Sequence, residues 1–156
     1  EGDRTNEFVF ANAPQPALTR ESQRWVLERY SYGPDCVTDD WVDALVAIAA
    51  QPKYEEAVRK MNGDGFNWTK FLPGLLADKE EMFRILQTRG IQRPVLQIWS
   101  NKDLTVSESQ AMALYQILAE KERRARWHIF DRAGHFSYRE HPERFNEVLK
   151  SFIHAA

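Results

Sequence analysis

Two loops of this sequence hold residues of complementary chemistry at matching places. Asp103 lies in SNKDLTV, directly after the apolar run VLQIW, and His135 lies in DRAGHF, directly after ARWHIF. An imidazole takes up and returns a proton near neutral pH, and a carboxylate beside it fixes the ring's tautomer and stabilises the imidazolium. Such a pair has a use in catalysis when a third group supplies the proton. The plainer readings are a loop histidine bonded to a backbone carbonyl and an Asx turn at Asp103. Placement of both residues just beyond strand-like runs makes Asp103 and His135 the candidate catalytic residues. Asp131 shares the loop of His135 instead of following the neighbouring run, and is the lesser partner. His128, His141 and His154 show no metal-ligand spacing with carboxylates or with the one cysteine, so no metal is expected.

The elements that must hold these loops follow from the pattern on either side. VLQIW and ARWHIF are short apolar runs suited to strands buried on both faces, and a helix capped by Ser107 and running to about Glu122 separates them. A last helix starts with Pro142 at its first position. Strand, helix, strand, helix predicts parallel strands with flanking helices, an α/β class, in which right-handed crossovers bring the two loops to one edge of the sheet. Ligands of such sheets bind beyond that edge.

Upstream, the periodicity predicts three helices in succession. The first starts at Thr19 or Ser22, carries Trp25, Val26 and Tyr30 on one face, and ends at Gly33 and Pro34. The second has Thr38 as N-cap, Asp39 and Asp40 in its first turn, and Trp41, Leu45, Ile48 and Ala49 as its stripe. The third runs from about Pro52 to Met61 and stops at Asn62 and Gly63. A loop, GDGFNWTKFLPG, then leads to a helix over roughly 78–88. Residues 1–18, with the run Phe8, Val9, Phe10, read as the end of a core strand and a linker. The expected organisation is thus 1–18 linker, 19–76 helical layer, 77–156 α/β core.

The chain has 156 residues, 43% of them hydrophobic, with 21 basic and 23 acidic side chains of scattered sign. That is enough to pack a core, and without a basic stripe nucleic acid is not an expected partner. No apolar run approaches the ~20 residues of a membrane span. Cys36 reads as a small structural side chain that suits a reducing compartment. The first residue is Glu1, not Met, and the chain is expected to begin partway through something longer.

The runs RPVLQIWSNKD, RAGHF and EHPERFNEVLKSFI together resemble the C-terminal part of an α/β-hydrolase, whose pattern is P-x-L-x-x-W-G-x-x-D, then G-H-(W/F), then E-x-P-E-x-F and a final helix. Ser100 stands where that pattern has Gly, and Phe136 where Trp is frequent. The resemblance makes the helical layer a lid, and its motif LERYSY is similar to that of meta-cleavage product hydrolases, which cleave a carbon-carbon bond in 2-hydroxy-6-oxohexa-2,4-dienoates of aromatic degradation. It implies a nucleophilic serine on a G-x-S-x-G turn. No such turn occurs in this sequence, so it is expected upstream or on a companion segment. An isolated C-terminal part would leave one sheet edge unpaired and the apolar underside of the lid uncovered, which also favours such a companion.

Arg29 falls four residues after Trp25 and three after Val26, with the apolar stripe, where a guanidinium needs an anion or carbonyl. The resemblance implies that it binds the dienoate end of the substrate; the plainer reading pairs it with a nearby acid. Val106 and Phe136, beside the supposed acid and base, are expected either to line an apolar pocket for the acyl end or to pack as ordinary core. The whole implies a cytoplasmic enzyme acting on a small molecule, as a homo-oligomer, without cofactor. The alternatives are another α/β-hydrolase, such as an esterase or epoxide hydrolase, and a non-catalytic ligand-binding subunit.

Overall fold

The structure, a computed structural model, describes residues 2–63 and 67–155. Two strands form a parallel pair, β1 (Val95–Ser100) and β2 (Ala125–Phe130), in register from Val95 opposite Ala125 to Ser100 opposite Phe130. The crossover helix α6 (Glu108–Lys121) starts where Ser107 and Gln110 cap each other: the Ser107 Oγ accepts from the Gln110 N–H, and the Gln110 Oε1 accepts from the Ser107 N–H. Inside the sheet, the buried Gln97 donates from Nε2 to the Ala111 carbonyl at 2.7 Å and ties β1 to that crossover. After β2 come a short helix α7 (Ser137–Glu140) and the terminal helix α8 (Pro142–Ala155). Phe130, fully buried, stacks on Phe145 of α8 at 6.0 Å.

The helical layer consists of α2 (Arg20–Tyr30), α3 (Asp39–Ala49) and α4 (Pro52–Gly63), with a single 3₁₀ turn at Pro34–Cys36. Thr19 caps α2 by accepting from the Ser22 N–H. Thr38 stands at the N-cap of α3 but makes no side-chain bond to the helix backbone. The core of the layer is Leu27, Val37 and Val42, with Trp41, Leu45, Val46 and Phe136 packed on it. Ile48, expected in the stripe, is instead exposed, because α3 turns Val42 toward α2 and leaves Ile48 on the far side.

Two expectations are corrected. Residues 1–18 do not begin as a strand end: α1 (Gly2–Asn12) is a helix. In a helix three consecutive apolar residues point three ways, so Val9 is buried, Phe8 stacks on Trp25 of α2, and Phe10 stays exposed. The stretch expected as a loop before residue 78 is also helical where described, a π turn at Asn67–Phe71 running into α5 (Leu72–Thr88) with Pro73 in its first turn. Residues 64–66 of it lie outside the described residues. A boundary at 76/77 would therefore cut one continuous helix. At the end of α5, Gly90 has φ +68°, and a Cβ there would stand 2.8 Å from Lys121 Cβ, so only glycine fits where the chain turns under α6 into β1.

Candidate active site

Beyond the carboxyl ends of β1 and β2 the two loops are stitched together. The Asn101 N–H reaches the Phe130 carbonyl at 3.0 Å and the Lys102 N–H the Ala133 carbonyl at 3.1 Å. Asn101 donates from Nδ2 to Asp131 at 2.6 Å and accepts from the Arg132 N–H at 3.1 Å. Asp131 is therefore spent on bracing the loops and is not the partner of the imidazole.

That partner is Asp103. Its Oδ2 lies 3.0 Å from His135 Nδ1, and its side chain is only 9% exposed. Its other oxygen, Oδ1, accepts from Thr105 twice, from the backbone N–H at 2.8 Å and from the hydroxyl at 2.6 Å. The Thr105 Oγ1 also stands 2.9 Å from His135 Nδ1. Because the hydroxyl proton goes to Asp103, the assignment that satisfies every contact puts a proton on Nδ1, shared between Asp103 and Thr105. This leaves Nε2 as the basic nitrogen, with no hydrogen-bond partner among the described residues.

The electrostatics agree. The Asp103 hydrogen bond, opposed by desolvation and aided by the charges of Asp103 and Glu140, holds the His135 imidazolium above the ordinary 6.5. Burial pushes the Asp103 carboxyl up, but the hydrogen bonds from His135 and Thr105 outweigh it and hold the group below its usual range. The loop that carries His135 is in turn fixed to the helical layer. The His135 N–H donates to the Tyr30 carbonyl at 2.7 Å, and a Cβ on Gly134 would lie 2.5 Å from that same oxygen. No side chain larger than hydrogen fits at residue 134.

The remaining candidates are placed more loosely. The Arg29 guanidinium lies 4.2 Å over the Trp25 ring and 3.9 Å from Glu28, and its side chain is 42% exposed. Together with Arg4, Thr5, Phe8, Val9 and Leu104 it lines a cavity of about 280 Å³ that adjoins the Asp103 loop. Val106 is half-buried, and its carbonyl accepts from Trp99 Nε1 at 3.3 Å. Phe136 is T-stacked on Trp41 at 4.8 Å in the core of the helical layer, and it also meets the His135 ring in a T-shaped contact at 5.1 Å. It serves as the joint between the layers. Among the described residues no group of His, Cys, Asp and Glu is arranged to hold a metal ion, and no helix is long and apolar enough to cross a membrane. Thr105 was not a sequence candidate: its hydroxyl is one of many in the chain, and only closure of the loop around Asp103 gives it a role.

The fold, with a carboxylate and a histidine beyond adjacent parallel strands in that order, is that of the C-terminal half of an α/β-hydrolase. No protein-family model matches the chain. Among solved structures it is similar to a variant of CumD, a meta-cleavage product hydrolase from Pseudomonas fluorescens IP01, with 23% identity and TM-score 0.63 over 92% of this chain and 48% of that one. It is also similar to CarC, described as a serine hydrolase involved in carbazole degradation, at 19% identity and TM-score 0.62 over 90% of this chain and 49% of the other. A third is Cfl2 from Burkholderia cenocepacia, at 18% identity and TM-score 0.65 over 97% and 48%. The chain spans about half the length of the solved chains it matches.

Proposed function

We propose that this chain supplies the acid–base half of a serine-type α/β-hydrolase, whose nucleophile stands on an upstream or companion segment. The observation that carries this reading is the Asp103–His135 bond at 3.0 Å, with Nδ1 engaged and Nε2 open. In that role Nε2 takes the proton of a serine hydroxyl as its oxygen attacks a carbonyl carbon, Asp103 stabilises the imidazolium so formed, and Nε2 returns the proton to the leaving fragment. Water then attacks the acyl-enzyme by the same route in reverse.

For the substrate, we favour the carbon-carbon bond of a 2-hydroxy-6-oxohexa-2,4-dienoate. The support is the LERYSY motif together with structural likeness to proteins described as meta-cleavage product hydrolases. Ketonisation of the dienol makes the departing carbon fragment an electron sink, so that the bond breaks after attack at the 6-oxo carbon. Arg29, which lines the cavity beside Leu104 together with Arg4, is the cation we assign to the carboxylate and 2-oxo end. A second reading, an esterase using the same pair, draws on the observation that the Arg29 guanidinium already stacks on Trp25 and faces Glu28.

The test is turnover of a coloured dienoate and of a simple ester by the protein assembled with its nucleophile segment. Loss of both in His135→Ala supports the acid–base role, and retention of both refutes it. Loss of dienoate turnover alone in Arg29→Ala selects the first substrate class, whereas turnover of the ester but not of the dienoate by the unaltered protein selects the second.

A further inference from the structure

Glu140, at the end of α7, touches neither Asp103 nor the His135 ring, yet it holds the backbone on which His135 stands. Its Oε2 accepts from the Gly134 N–H at 2.9 Å and from the Tyr32 N–H at 3.3 Å. Gly134 immediately precedes His135, and Tyr32 lies two residues past the end of α2. The other oxygen, Oε1, is buried and has no hydrogen-bond partner among the described residues. Burying a carboxylate oxygen without a partner is costly, and an apolar side chain of similar size would avoid that cost. What a carboxylate adds is an acceptor for two backbone donors, one of them on Tyr32, 108 residues before Glu140 in the chain, and the other on Gly134.

The same joint carries the His135 N–H bond to the Tyr30 carbonyl and the close approach of Gly134 to Tyr30 and Ser31. Three hydrogen bonds and a glycine contact thus weld residues 30–32 to residues 134–135. Asp103 and Thr105 orient the ring, but they act on Nδ1 and do not fix where the Cα of His135 sits.

We propose that Glu140 is a positioning residue for the general base: it clamps the His135 loop to the end of α2, so that the helical layer as well as the sheet sets where the imidazole stands. This inference rests on the reading of His135 as the base. Its importance follows from geometry, since a displacement of about 1 Å at a reacting group costs on the order of a hundredfold in rate.

The experiment is amide hydrogen exchange and NMR titration of the His135 ring in the whole chain, neither of which depends on turnover. The charged groups facing the ring are Asp103 and Glu140, with the Tyr30 ring 6.1 Å away. Glu140→Ala is expected to speed exchange at the Gly134 and His135 amides by about tenfold or more, the size expected for losing one to two net hydrogen bonds. It should also lower the titration midpoint of His135. Glu140→Gln keeps the acceptor and removes the charge, so it should retain the amide protection while still lowering the midpoint.

Unchanged exchange at both amides in Glu140→Ala overturns the proposal, as does a loss of protection in Glu140→Gln equal to that in the alanine variant. Should Glu140→Ala fail to fold, Glu140→Gln decides alone: retained protection with a lowered midpoint supports the clamp, and lost protection or an unchanged midpoint overturns it. The base role of His135 is judged separately by turnover in His135→Ala, so failure of one reading is not mistaken for failure of the other.

Discussion

At the scale of single residues, the site turns on how two oxygens of one carboxylate are shared. Asp103 gives one to the imidazole and the other to Thr105, whose hydroxyl also braces Nδ1. Thr105→Val removes the hydroxyl and leaves the backbone N–H, so it is expected to cost about 1 kcal/mol, several-fold in kcat, while Thr105→Ser restores the wild-type rate. Protonation gives a second expectation. The raised His135 pKa adds stability that is fully present below the ordinary 6.5 and is lost as pH rises through the higher folded value. The lowered Asp103 pKa adds stability that is present above the ordinary 3.8 and is lost as pH falls through the folded value. The stability difference between wild type and Asp103→Asn, measured by urea midpoints across pH, should therefore be widest between 3.8 and 6.5 and shrink on both sides. In the proposed hydrolase, assembled with its nucleophile segment, the rate should climb with pH through a midpoint above 6.5, and Asp103→Asn should move that midpoint down. Asp103 and His135 were legible in the sequence because each follows a strand-like run at a place the fold makes equivalent. Thr105 and Glu140 were not, because their roles rest on contacts that only the closed loops create.

At the scale of elements, local chemistry decides the starts of helices and distant contacts decide the rest. The cap at Ser107 was readable, and Ser107→Ala should lower stability by about 1 kcal/mol, seen as a lower thermal midpoint. Gly134 imposes a stricter demand, since any Cβ meets backbone at 2.5–2.7 Å on Tyr30, Ser31 and Tyr32. Backbone cannot rotate aside as a side chain does, so Gly134→Ala should destabilise the chain by ~1–3 kcal/mol, with a lower denaturant midpoint and an unchanged slope. The helix α1 escaped sequence reading for a physical reason. Phe8, Val9 and Phe10 have no helical spacing of their own, and what fixes the helix is the stacking of Phe8 on Trp25 and the Tyr30 hydroxyl bond to Asn6 at 2.9 Å, both from α2. The first turns of α5 were hidden in the same way behind Gly and Pro, which read as a loop from either side.

At the scale of the molecule, two parallel strands carry a great deal of apolar surface on a small sheet. Leu149 and Ile153 of α8 are exposed, as are Leu75, Leu76 and Met82 of α5, and β1 pairs only with β2 among the described residues. If the proposed nucleophile segment docks there, co-expression with it should slow exchange of the outward amides of β1 by about tenfold or more, measured against the chain alone. The parallel order was legible because two short apolar runs flank a capped helix; the joint between the helical layer and the sheet was not, because residues 30–32 and 134–140 are far apart in sequence. That joint also bears on how such proteins can be recombined. A chimaera that grafts a foreign helical layer at Leu72 would bring a new partner for Gly134 and Glu140 and leave His135 on a badly fitted footing. A swap that carries residues 134–140 along with the layer transfers the interface intact, and it is the exchange boundary an engineer should choose.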